Sequence, residues 1–257
     1  MQEVISNHWG GLGDWLSVST LPEELTRQKG CDVYLHSGAL FRNNEIKQLF
    51  LMNPFIKGVI DSPPTVGDVP GLTPGYQNLI GEPGSHIANW EKLHNLTPKN
   101  IFPKIYYTPN NIPDMSGVVL VDTTSITERY DNDEVRSLVE QLKEARFSGK
   151  KLVAVNFKNK LNAPQNDRFH SGRHDTYLTS VENSVTIESI FQYCDLLASV
   201  EGFICLHSGS HALASAVKHQ HNPLLQINCI IREQNMNHCK KTGLFLFLNV
   251  EYVLASV

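Results

Sequence analysis

No apolar run in the 257 residues approaches the ~20 needed to cross a bilayer; the longest candidate, GLFLFLNV, is far too short. No charged-then-apolar leader opens the chain, since Glu3 and His8 interrupt its start. Cysteine is sparse: Cys31, Cys194, Cys205, Cys229 and Cys239, with no C-x-x-C pair. An odd, scattered set argues against a disulfide framework and reads as reduced, mostly buried thiols. Excess basic charge is missing too. Lys and Arg number 22 against 26 Asp and Glu, a net charge of −4, which gives no support to a nucleic-acid partner or an anionic membrane surface. No internal repeat with a period of roughly 20–50 residues is found. These absences lead to the expectation of a cytoplasmic protein with no integral membrane segment.

What is present is ordinary globular composition, 41% hydrophobic and 19% charged, arranged in alternation. EVIS reads as a strand, DWLSVSTLPEELTRQKG as helix ending at Gly30, CDVYLHS as strand, NNEIKQLFLMN as helix and IKGVIDS as strand. Strand and helix taking turns is the pattern of a parallel sheet with helices on its faces. Between about residues 63 and 113 glycine and proline dominate and exclude long regular elements, with HIANWEKLHNL as a helix inside the stretch. A second alternation then begins. GVVLVDTT is a strand buried on both faces, DNDEVRSLVEQLKEARFSG the clearest helix, and KKLVAVNF the next strand. TIESIFQYCDLLASVE reads as helix, GFICLHSGSHALASAVKHQ as strand, turn and helix, and LLQINCII as strand. The expected division is 1–115 and 116–257, both α/β.

Two strand-turn-helix junctions carry the chemistry. In ISNHWGGLGDWL the glycines permit close backbone approach, and a helix N-terminus follows that suits a phosphate or a carboxylate such as Asp14. Leu16 stands where a dinucleotide fingerprint wants its third small residue, and no Gly-Lys-Ser/Thr follows, so neither standard nucleotide loop fits. Asp14 is open to two readings, a helix cap or a catalytic group. In FICLHSGSHALASAV a buried strand ends at His207, and Ser208, Gly209, Ser210 and His211 open a helix of small residues. His207 and His211 straddle a turn with no acidic or cysteine partner nearby, so no metal is expected. HSGSH also lacks the G-x-S-x-G elbow of a hydrolase.

Both junctions, in this order, resemble those of the glycosyltransferase family that includes the lipopolysaccharide heptosyltransferases (family 9-like). Those proteins open with a strand, a G-G-x-G-D turn and a helix. Later they carry a helix with Asp-Leu, a strand, a Ser-Gly turn and H-L-A-A-A; here these are Cys194-Asp195-Leu196, then His211-Ala212-Leu213-Ala214. The resemblance implies a GT-B architecture, two Rossmann-like parallel-sheet domains facing each other across a cleft. The N-terminal domain would bind a glycan or other hydroxyl acceptor. The C-terminal one would bind a nucleotide-diphosphate sugar, a donor substrate rather than a cofactor.

The same resemblance implies an inverting, metal-independent transfer. Asp14 matches the family's base, and Ser208, Gly209, Ser210 and His211 match its phosphate-contacting turn. Gly11 and Gly13 belong to the first turn. Between residues 150 and 174 six Lys and Arg meet one acid, Asp167; this run reads as a solvated loop or as a diphosphate contact, with Lys158 and Arg173 the candidates. Glu188 or Glu182 would contact the ribose. A nucleotide-sugar epimerase and a catalytically silent nucleotide- or sugar-binding module share this plan and stand as alternatives.

Overall fold

The computed structural model describes residues 1–72, 86–125, 130–157, 183–242 and 245–255. It divides into two compact units. One comprises Met1–Tyr107 with His238–Leu248, the other Thr108–Asn237 with Asn249–Val257. The division falls at 107/108 rather than 115/116 because the intervening segment is bonded to the second unit. Asn110 N–H donates to Asp195 Oδ1 at 2.8 Å, and Ile112 N–H donates to Ser199 Oγ at 2.8 Å. Asp195, the acid of the Cys-Asp-Leu motif, is thus an anchor for the incoming chain.

The first unit holds β1 (Gln2–Asn7), α1 (Leu12–Ser17), α2 (Leu21–Lys29), β2 (Asp32–His36), α3 (Asn44–Leu51), β3 (Ile56–Ile60), β4 (Val66–Asp68) and α4 (His86–Leu93). Its sheet is parallel throughout, in the order β3-β2-β1-β4. The stretch expected as one helix after the glycines is two. Pro22, at the start of α2, has no N–H to continue the ladder, so the helix breaks over residues 18–20 and restarts. The three-residue β4 was not legible, being short and interrupted by Gly67.

The second unit holds β5 (Val118–Asp122), α5 (Asn132–Arg146), β6 (Lys151–Phe157), β7 (Ser184–Ile187), α6 (Ile190–Ser199), β8 (Gly202–Leu206), α7 (Gly209–Gln220), β9 (Gln226–Arg232) and β10 (Glu251–Ala255). Helix α8 (Glu233–Thr242) runs from this unit into the segment that joins the first. The six-stranded sheet is parallel, in the order β10-β9-β8-β5-β6-β7. Counted within the unit this is 3-2-1-4-5-6, the doubly wound dinucleotide-fold order; the first unit repeats its 3-2-1-4 part. Expected helix TIESIFQYCDLLASVE is a strand followed by a helix. Ser189 caps α6 by accepting from Gln192 N–H, and β7 before it is a four-residue edge strand with only Ile187 buried, where alternation is faint.

Packing follows the patterns that were legible. Val135, Val139 and Leu142 of α5 lie buried with Val119 and Val121 of β5, and Asp131 caps the helix by accepting from Asp133 and Glu134 N–H. All five cysteines are free and buried. Burial pushes the Cys194 thiol up to about 12, so it is not a nucleophile at neutral pH. Among the described residues no helix is long and apolar enough to cross a membrane.

One buried group makes the first unit sensitive to acid. His86 is enclosed at the start of α4, its ring 4.7 Å from that of Phe245, and burial pulls its pKa down to about 3. Below about pH 6.5 the unfolded chain takes up a proton that the folded one refuses. Stability is therefore full above that pH and drains away as pH falls towards 3, by roughly 2 kcal/mol at pH 5. His94, lowered to about 4 by burial and then by Lys29, acts in the same direction. The urea midpoint is expected to drop between pH 7.5 and 5.0, and His86→Leu to flatten that slope; an equal slope in both proteins contradicts the assignment.

Candidate functional site

In each unit the chemistry-bearing residues gather at the C-terminal ends of the strands where the order reverses, β1/β4 in the first and β5/β8 in the second. Ligands of open α/β sheets bind at such switch points.

In the first unit the loop 7–14 is tied down at every step. Buried Asn7 accepts from Trp9 N–H at 2.9 Å and donates from Nδ2 to the Asp14 carbonyl at 3.0 Å. Gly10 takes φ +75° and lies so close to Leu40 that a Cβ would come within 3.3 Å of its carbonyl. Asp14, partly exposed, is the third residue of α1, and its Oδ2 accepts from Gly11 N–H at 3.0 Å. Gly11 is the N-cap, and Asp14 acts on it from the third helical position while its side chain keeps partial exposure. This contact also changes what Gly11 can offer: its N–H is spent on Asp14, so an anion does not find it there. A carboxylate of the chain already occupies the α1 terminus. Gly13 lies within α1.

His8 and Asp68 stand at the same sheet end and went unrecognised in the sequence. The His8 main-chain N–H and ring Nδ1 both approach the Asp68 carbonyl, at 3.2 and 3.0 Å, with the buried Asp68 carboxylate 3.6 Å from Nδ1. Beside them Trp9 stands 49% exposed, its ring 4.6 Å from that of His8. Their signal is tertiary: 60 residues separate the two, and no local pattern pairs them. The unit also holds a cavity of about 20 Å³ lined by Trp15, Leu16, Phe50 and Ile105 among others, room for a water molecule and not for a sugar.

In the second unit Ser208 is the N-cap of α7. Its Oγ accepts from Ser210 N–H at 3.3 Å and from His211 N–H. The buried His211 ring folds back so that Ser208 N–H donates to its Nδ1 at 3.2 Å, and it lies 4.6 Å from the His207 ring. Gly209 N–H is left as the main-chain donor of the turn with no partner among the described residues. Ser210 differs from expectation. Its hydroxyl donates to Asp122 Oδ2 at 2.7 Å, so its single hydrogen is not available to a phosphate.

Asp122 is the centre of this end of the sheet. Fully buried at the end of β5, it accepts from Ser210, from the Tyr193 hydroxyl at 2.7 Å, and from Thr124 N–H and Oγ1 at 2.9 and 2.6 Å. Burial, with the Asp122 charge beside it, raises the Tyr193 phenol well above its usual range and keeps it a donor. An acid closing the apolar run GVVLVD was the available signal. Glu188, exposed just ahead of α6, uses its N–H on Gln192 Oε1 at 2.7 Å. Lys158, Arg173 and Glu182 lie outside the described residues. Among the described residues no three His, Cys, Asp or Glu side chains converge as metal ligands.

No protein-family model and no curated protein matches the chain. Solved structures match it in fold. TibC from enterotoxigenic E. coli, a bacterial iron-containing dodecameric glycosyltransferase, is 14% identical with a TM-score of 0.55, over 90% of this chain and 57% of that one. A glycosyl transferase family 9 protein from Veillonella parvula is 9% identical at TM-score 0.60, over 100% and 85%. The E. coli heptosyltransferase WaaC, solved with ADP, is 11% identical at 0.56, over 100% and 91%. The chain therefore spans less than two thirds of the TibC length. The fold is the one these glycosyltransferases use: two parallel-sheet α/β units, the GT-B class.

Proposed function

We propose that the chain is a glycosyltransferase of heptosyl or hexosyl type, moving a sugar from a nucleotide-diphosphate donor to a hydroxyl acceptor with inversion. One observation carries the reading. In a fold shared with an ADP-bound heptosyltransferase, a capped helix opens at the switch point of the second unit's sheet, and Gly209 N–H there has no partner among the described residues. A helix N-terminus of this kind favours the negative charge of a diphosphate. The first unit's corresponding helix end is already filled by Asp14, which supports donor binding on the second unit and acceptor chemistry on the first.

On this reading Asp14 takes the proton of the acceptor hydroxyl. The freed oxygen attacks the anomeric carbon, whose bond to the diphosphate oxygen breaks on the opposite side, and the diphosphate leaves with the bonding pair. The α7 terminus stabilises that charge together with side-chain cations, for which Lys158 and Arg173 remain the candidates; no step requires a metal. Ser208 acts by holding the turn. Glu188 is proposed for the ribose.

A thermal-shift panel of ADP-, UDP-, GDP-, CMP- and dTDP-sugars tests the proposal. A donor at a hundred times its Kd adds about 2.7 kcal/mol, a rise of roughly 5–10 °C in a chain of this size. Nucleoside diphosphate should then appear only when an acceptor is supplied. Conversion of the sugar alone would mark an epimerase, and stabilisation without turnover a silent binding module. Silence across the panel sinks the reading.

A further inference from the structure

Asp122 is an unusual investment. A carboxylate with no exposed surface accepts four hydrogen bonds, all from neutral groups, and no Lys, Arg or His pairs with it among the described residues. Burying a carboxyl group costs more than filling the same space with an apolar side chain, so stability alone does not explain it. Its position does. Oδ1 holds the loop after β5 through Thr124, Oδ2 holds the first turn of α7 through Ser210, and Tyr193 reaches the same oxygen from α6. In a sheet of this order the loops after β5 and β8 diverge on either side of the switch point and form the two lips of its crevice. One carboxylate joins both.

We infer that Asp122 is the positioning residue of the donor turn, setting where Gly209 N–H points by clamping Ser210 to the loop after β5. This rests on the glycosyl-transfer reading and deepens it. Ser210 sits next to Gly209 in the first turn of α7, so a change in its anchorage rotates the donor that faces the diphosphate. The clamp needs an acceptor-only group. In Asp122→Asn the Oδ1 side can still accept from Thr124, but an amide NH₂ then confronts the hydroxyls of Ser210 and Tyr193. A hydroxyl has one hydrogen and must turn away to accept instead. The lips lose their fixed spacing with little change in volume.

The test is calorimetric titration of the intact chain with ADP and with UDP, well below each variant's melting temperature. Asp122→Asn and Ser210→Ala are each expected to raise the nucleotide Kd about tenfold, as small misplacements of a binding group do. Because both break one clamp, the double variant should bind no worse than the weaker single one. Ser210→Thr, which keeps the hydroxyl, should restore affinity. Leu142→Ala, a core truncation on α5, should lower the melting temperature and leave Kd unchanged, which separates positioning from general destabilisation. Should Asp122→Asn fail to fold, the Ser210→Ala and Ser210→Thr pair decides alone. Wild-type affinity in the folded Asp122→Asn or Ser210→Ala protein overturns the inference; a wild type that binds neither nucleotide overturns the functional reading along with it.

Discussion

Asp14→Asn is expected to lower nucleoside diphosphate release in the transfer assay by at least about 100-fold, the lower range of what a general base contributes. The melting temperature should move by no more than a degree or two. The two expectations separate because, on the proposed reading, Asp14 performs two tasks with one side chain. As a cap it needs only an acceptor oxygen towards Gly11 N–H, 3.0 Å away, and the Asn Oδ1 supplies that. As a base it needs an atom that takes a proton, which an amide oxygen does not do at neutral pH. Its carbonyl remains held by Asn7 Nδ2 in either case. Asp14→Ala is the poorer experiment, since it also leaves Gly11 N–H without its acceptor. Full transfer activity in a folded Asp14→Asn protein would return the residue to a purely structural role.

Gly67→Ala is expected to be the most damaging small substitution in the first unit. Gly67 lies in β4 opposite Ser6 of β1, with φ +98°, and a Cβ built on it would stand 2.0 Å from the Ser6 carbonyl oxygen. That contact is backbone on both sides, so no rotamer relieves it; β4 has to leave the sheet. With it goes Asp68, the next residue and the anchor of His8. A loss of about 4 kcal/mol or more follows, or at least roughly 8 °C in melting temperature. Gly71→Ala supplies the control. Its φ is +82° but no described residue lies within 4 Å of the added carbon, which leaves the backbone strain of about 1–2 kcal/mol. Equal melting temperatures for the two variants would disprove the steric argument.

The candidate site divides along the same line as these two predictions. The loop 7–14 and the turn 208–211 announced themselves because glycine, serine and a capping acid at a strand-to-helix junction are local requirements, met within a few residues. Their roles inside those turns were only partly legible. That Gly11 N–H is spent on Asp14, and Ser210 on Asp122, depends on which way side chains point once the helices dock. Asp122, Tyr193, His8 and Asp68 belong to contacts spanning 60 to 88 residues, and nothing in a local window pairs them.

By itself the sequence determined the class of the protein. Apolar runs such as VVLVD and FICL demand strands covered on both faces, the periodicity of α5 demands a helix over one of them, and their alternation demands parallel sheets. It also located the two turns, since glycine and capping residues act over one or two bonds. Only the tertiary structure decided the strand orders, the short β4 and the edge strand β7, because pairing in a parallel sheet joins residues that are distant in the chain. It alone showed that residues 108–115 belong with α6 and that His238–Leu248 return to the first unit. And it alone revealed the buried carboxylate beneath the α7 turn, for burial of a charge is a property of what packs around it and is written in no single stretch of residues.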